Sequence, residues 1–192
     1  MLSSNGRSPS DDELLAGVAG GDMNCLEELL RRYRSVAYRV AYRLLSHEAD
    51  ALDAVQEGFL KVLTNLQRFR GESTFKSWLL RVVSNAALDI GRQRQLTESR
   101  FSSPLSLTEQ DWIDPSPAPE SDLDRSDLRQ QLDHAVSSLP EHQRLVFVLH
   151  ADGGLSYREI ADMLGISIGT VMSRLFYARQ RLKTLLADQV LR

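Results

Sequence analysis

The chain of 192 residues holds a single cysteine, Cys25, so no disulfide can close within it. A lone thiol among helix-forming residues reads as a buried structural group, not a nucleophile. No run of about 18 apolar residues occurs, and the start MLSSNGRSPSDDE has no apolar core, so neither a membrane span nor a secretory signal is expected. A cytoplasmic location follows as the expectation. His47, His134, His142 and His150 show no ligand spacing with cysteine or carboxylates, and no G-x-S-x-G, P-loop or dinucleotide-binding glycine pattern is present. No metal site, cofactor or catalytic centre is therefore expected. Strand-like alternation is missing too, which leaves an all-α fold.

What is present is clearest from Leu155 to Leu182. Ser156 can cap a helix whose Glu159 bonds back to the Ser156 N–H, with Leu155 packing on Ile160 across the cap. Ile160, Ala161 and Leu164 form the inward stripe, Gly165 offers the left-handed residue that ends the helix, and Ser167 can cap a second one. Val171, Leu175, Ala178 and Leu182 then recur at helical spacing. The pair reads as a helix-turn-helix. Its second helix turns Thr170, Ser173, Arg174, Tyr177, Gln180 and Arg181 outward, and Arg174, Arg179, Arg181 and Lys183 follow without an intervening acid. Arg forks onto guanine, Gln onto adenine and hydroxyls onto either base or phosphate, so this face suits the major groove of DNA.

A net charge of −3 looks wrong for a DNA-binding protein until it is divided along the chain. Residues 1–21 carry −2, residues 22–95 carry +3, residues 96–125 carry −5 and residues 126–192 carry +1. The acidic stretch also holds Pro104, Pro115, Pro117 and Pro119, so it reads as a flexible linker. The expected organisation is a disordered N-terminus over 1–10, a helical domain over 11–95, an acidic, proline-rich linker over 96–125 and a second helical domain over 126–188.

In the first domain, Ser10 and Glu13 can open a short helix that Gly20 and Gly21 close. Asp22 can cap a long second helix with Leu26, Leu29, Leu30, Tyr33, Ala37, Val40, Ala41 and Leu44 on its core face. A third helix from Glu48 to Leu66 is expected to bury Leu52, Val55, Phe59, Val62, Leu63 and Leu66. Its opposite face gathers Asp53, Gln56 and Glu57 at i, i+3, i+4, with Asp50 one turn earlier: a solvated stripe, or one that docks on a basic partner. Phe69 to Glu72 form a loop before a fourth helix capped by Ser73 or Thr74. That helix buries Phe75, Trp78, Leu79, Val82, Val83, Ala86 and Ile90. Its other face offers Lys76, Ser77, Arg81, Asn85, Asp89 and Arg92, chemistry suited to gripping splayed DNA.

Four blocks in this order, DDELLAGVAGGDMNCLEELLRRY, EADALDAVQEGFLKVL, FRGESTFKSWLLRVVSNAALD and SLPEHQRLVFVLHADGGLSYREIADMLGISIGTVMSRLFYARQRL, resemble the extracytoplasmic-function sigma factors. These are small bacterial transcription initiation factors built of sigma regions 2 and 4. The resemblance implies two helical domains, core RNA polymerase and promoter DNA as partners, and restraint by an anti-sigma factor. It implies that Asp50, Asp53, Gln56 and Glu57 bind the coiled coil of the polymerase beta-prime subunit, and that the second domain also meets the beta flap.

It further implies that Phe69, Arg70, Gly71, Glu72, Ser73, Thr74, Lys76, Arg81 and Asn85 open and read the minus-10 element, accommodating a base taken out of the stack. Ser167, Thr170, Met172, Ser173, Arg174, Phe176 and Tyr177 fall on the helix that reads the minus-35 element, with Arg179 and Arg181 on phosphates. Members commonly carry a basic residue at the positions of Met172 and Tyr177, and this chain does not, which implies a shifted base preference. Gly91 is expected to interrupt the fourth helix before Arg92 and Arg94. The linker, with Glu109, Asp111 and Asp114, would thread the polymerase cleft.

Three rivals stand against this reading. A stand-alone helix-turn-helix regulator would bind palindromic duplex without polymerase, and the polar stripe and the RFRGESTFKSW block argue against it. An enzyme on a helical scaffold would need converging histidines or carboxylates, which no spacing supplies. A sigma-like decoy would bind polymerase without reading promoters.

Overall fold

The computed structural model describes residues 8–66, 69, 71–101 and 130–190, and among them there are helices and no strands. Four helices form the first unit: α1 Asp11–Ala19, α2 Met23–Leu45, α3 Glu48–Asn65 and α4 Phe75–Phe101. The second unit holds α5, helical at 130–137, then α6 Glu141–Ala151, α7 Tyr157–Leu164 and α8 Ile168–Val190. Most of the expected linker and the first seven residues lie outside the described residues, as does Arg70.

The helices begin where the sequence places caps. Ser10 and Glu13 form a reciprocal capping box on α1, Asp22 accepts from the Asn24 N–H at 3.0 Å to open α2, and Thr74 accepts from the Ser77 N–H at 3.1 Å to open α4. The N-cap of α3 is His47, whose Nδ1 accepts from the Asp50 N–H at 3.3 Å. Tyr33 and Arg32 of α2 both bond to Asp11, which ties α1 down; burial, then that bond, push the Tyr33 hydroxyl up to about 12.

The core of the first unit joins Leu26, Leu29, Val40 and Leu44 of α2 to Leu79, Leu80, Val83 and Ala86 of α4, with α3 packed on both. Truncating a fully buried leucine such as Leu29 to alanine costs about 2–5 kcal/mol in such a setting. The stripe that α3 buries is Ala51, Ala54, Val55, Gly58 and Val62. This corrects the expected one: Leu52 and Leu63 are 50% and 43% exposed, and Phe59 and Leu66 are half-buried. The reason is close packing. A Cβ on Gly58 would lie 2.6 Å from Val83 Cγ2, so α3 approaches α4 closely where it carries no side chain, and Leu52 and Leu63 turn outward.

A second correction concerns α4, which continues through Gly91 to Phe101, six residues into the expected linker. A mid-helix glycine costs about 1 kcal/mol against alanine, and each added residue of an established helix gains a backbone bond, so one glycine does not end it. Here Leu45 Cδ2 would sit 3.3 Å from a Cβ at Gly91, and Arg94 bonds to Asp50 of α3 at 3.2 Å, which anchors the extension. Within α4, Trp78, Val82 and Ile90 are half-buried, and Leu80 and Ala87 join the core instead.

In the second unit, Ser156 and Glu159 form the expected capping box, Gly165 ends α7 in the left-handed region (φ 64), and Ser167 accepts from the Thr170 N–H at 3.1 Å. Val171, Leu175, Ala178 and Leu182 are buried against Leu149, Leu155 and Ile160, while Leu164 is half-buried. The two units touch, α6 on α2 and α7 on α4. Arg43 of α2 pairs with Asp133 of α5 and lies 3.7 Å from Asp152 at the end of α6; Arg92 of α4 meets Glu141 at 2.9 Å. Burial raises the Asp152 pKa, and Arg43 opposes that rise.

Candidate nucleic-acid interface

Three faces carry the residues singled out in the sequence. On α3, Asp53, Gln56 and Glu57 are exposed together as expected, with Glu57 Oε1 2.5 Å from Lys61 Nζ. Asp50 stands apart from them: it is half-buried, 3.3 Å from His47 and bound by Arg94, so it braces α3 against α4. Beside the polar stripe, Leu52 and Leu60 are 50% and 54% exposed, and Met23 of α2 is exposed as well. With Leu30, Tyr38 and Phe59 they border an open apolar groove of about 1190 Å³ between α2 and α3, rimmed by Glu27, Arg31, Arg34 and Gln56. The groove was not expected from the sequence because Leu52 and Phe59 were assigned to the core and Leu60 to no face; the run of small residues Ala51, Ala54 and Gly58 was the available signal.

The second face is the loop before α4 and the start of that helix. Phe69 is half-buried, its ring 5.1 Å from Trp78 and 6.1 Å from Phe75, so an aromatic cluster roots the loop. Gly71 (φ 71), Glu72, Ser73 and Thr74 stand exposed beyond it. Arg81 and Asn85 are exposed on α4, while Lys76 is half-buried and donates to the Gly154 carbonyl at 3.3 Å. Ser77, on the expected outer face, is buried because its hydroxyl donates to Glu159 Oε1 of α7 at 2.9 Å.

Glu159 thus serves two units at once. Its Oε2 accepts from the Ser156 N–H and hydroxyl, each at 2.8 Å, while Oε1 faces Ser77 and Thr74. Burial would raise its pKa, but the bonds from Ser156, Ser77 and Thr74 outweigh burial and hold the carboxyl below the usual glutamate range. A cleft of about 650 Å³ runs between the loop and α7, with Arg81 and Arg158 on its walls.

The third face is the outer side of α8. Ser167, Met172, Ser173, Phe176, Tyr177, Arg179 and Arg181 are exposed; Thr170 and Arg174 are half-buried at its flank. The Thr170 hydroxyl lies 2.9 Å from the Ser167 hydroxyl, and Ser173 donates to the Thr170 carbonyl at 3.0 Å. Among the described residues, no acid pairs with Arg174, Arg179, Arg181 or Lys183. A row of free cations on a helix held by a helix-turn-helix is an electrostatic footprint for a polyanion.

Residues 29–97 match the family described as sigma-70 region 2, and residues 129–182 match sigma-70 region 4. The chain is 36% identical over 185 residues to the ECF RNA polymerase sigma factor SigE of Mycolicibacterium smegmatis, covering 93% of this chain and 70% of that protein. It is 31% identical over 175 residues to the ECF RNA polymerase sigma-E factor of Escherichia coli K12, covering 89% and 91%. Among solved structures, CnrH in complex with the cytosolic domain of CnrY superposes with a TM-score of 0.68 at 25% identity, over 93% of this chain and 97% of that one. The sigma factor RpoE in complex with the anti-sigma factor NepR, from Bartonella quintana, gives 0.67 at 28% identity, over 86% and 98%.

Proposed function

This chain belongs to the extracytoplasmic-function family of RNA polymerase sigma factors, and on that premise we propose how its three faces divide the work of promoter-specific initiation. The α3 face, Asp53, Gln56 and Glu57 with Leu52, Leu60 and Leu63, docks on the beta-prime coiled coil of core polymerase. Apolar area supplies affinity there and the acids set orientation against a basic partner. The observation that carries this assignment is the exposure of three leucines around an acidic stripe on a helix with a well-filled core side.

The loop Phe69 to Thr74, including Arg70, and the α4 face with Lys76, Arg81 and Asn85 open and read the minus-10 element. The outer face of α8 reads the minus-35 element, and the second unit also meets the beta flap. Residues 102–125 tether the two readers, so polymerase fixes their spacing and raises their effective concentration on DNA. Reading the minus-10 element requires Thr74 and Lys76 to exchange Glu159 and the Gly154 carbonyl for DNA, so the two units separate on the promoter. An anti-sigma factor restrains the chain by covering the α2–α3 groove. RpoE was solved with such a partner.

Affinity for core polymerase tests the docking face. Asp53→Arg/Glu57→Arg and Leu60→Ala should each weaken binding at least tenfold while leaving the thermal midpoint of the free chain nearly unchanged. Undiminished binding by both variants would refute the assignment.

A further inference from the structure

The base-facing part of α8 carries an unusual set of side chains for a DNA-reading helix. Outside the buried stripe Val171, Leu175, Ala178, Leu182, its first turns expose Met172, Phe176 and Tyr177 at 54%, 56% and 60%. The hydroxyls nearby are engaged locally, Ser167 as the helix cap and Thr170 on Ser167. The exposed cations Arg179, Arg181 and Lys183 come only afterwards, and Arg174 sits half-buried at the flank. No acid occurs on α8 before Asp188.

A recognition helix presents its N-terminal residues to base edges, while later residues run along the backbone. Apolar atoms would therefore meet the bases and cations the phosphates. The one apolar feature of the major-groove floor is the thymine C5-methyl group. Resting on the minus-35 assignment above, we infer that α8 reads its element chiefly by burying thymine methyls against Met172 and Phe176, with Tyr177 closing the edge of the contact. The occupant of this exposed apolar face is duplex DNA and not a protein, because the face continues directly into a cationic, acid-free stretch of the same helix.

The test begins by selecting bound promoters from a random minus-35 library with core polymerase loaded with the full chain. Each thymine of the selected element is then replaced by deoxyuridine, which removes only the methyl. Burial of one methyl corresponds to about fourfold in affinity, so a contacted thymine should lose about that factor. The loss should vanish in Met172→Ala or Phe176→Ala, and Met172→Arg should shift selection toward guanine.

Unchanged affinity at every deoxyuridine position, with the minus-35 footprint still abolished by Arg179→Ala/Arg181→Ala, would overturn the methyl reading and leave the minus-35 assignment standing. A footprint without α8-dependent protection would overturn both.

Discussion

At the residue scale, Glu159 shows how one side chain joins local and long-range structure. Its capping of α7 is written in four consecutive residues and was legible in the sequence. Its bond with Ser77 spans 82 positions and was not, because nothing in a helical pattern says which exposed hydroxyl another domain will cover. The sign of its titration follows from the lowered pKa. The stabilisation is present above the usual glutamate value of 4.5 and is lost as pH falls through the depressed folded value. Ser156→Ala should therefore cost about 1 kcal/mol at pH 7 and clearly less at a pH below the depressed folded value, read from urea midpoints at the two pH values. An equal cost at both would mean that the Glu159 carboxylate takes no part in the cap.

At the scale of elements, helix starts were legible because caps are local chemistry: Ser10, Asp22, Ser156 and Ser167 each stand where expected. The register of α3 was not, because periodicity ranks faces by apolar bulk, whereas this helix buries Ala51, Ala54 and Gly58, with α4 closest at Gly58. The candidate docking face shared that error, its acids found but Leu52 and Leu63 placed in the expected core. Gly58 puts the packing account at risk. In a solvent-exposed helix Gly→Ala gains up to about 1 kcal/mol, but here the added Cβ meets Val83 at 2.6 Å, so Gly58→Ala should be destabilising by about 1–3 kcal/mol. A stabilised variant would show that α3 and α4 are not in tight contact at that point.

At the scale of the whole molecule, the acidic composition of residues 96–125 predicts a tether but says nothing of how the tethered units meet. The contact carries several polar links: Arg43 with Asp133 and Asp152, Arg92 with Glu141, and Ser77 with Glu159. Such an interface suits two units that must close and part, since ion pairs exchange readily for phosphates and weaken with salt. Arg43→Ala leaves Asp133 without its ion-pair partner and Asp152 with Arg39 alone, and should enlarge the radius of gyration in solution scattering at unchanged helix content. An unaltered radius would mean that the remaining contacts hold the units together without it.

The central claim, that this chain directs polymerase to promoters, is tested most directly by transcription. The purified chain is mixed with sigma-free bacterial core polymerase and a library of upstream fragments, and transcript start sites are sequenced alongside the Asp53→Arg/Glu57→Arg variant. A promoter-directing chain should give discrete starts that share two upstream elements and disappear with the variant. Stable binding to core polymerase without specific starts would contradict the claim and identify a decoy.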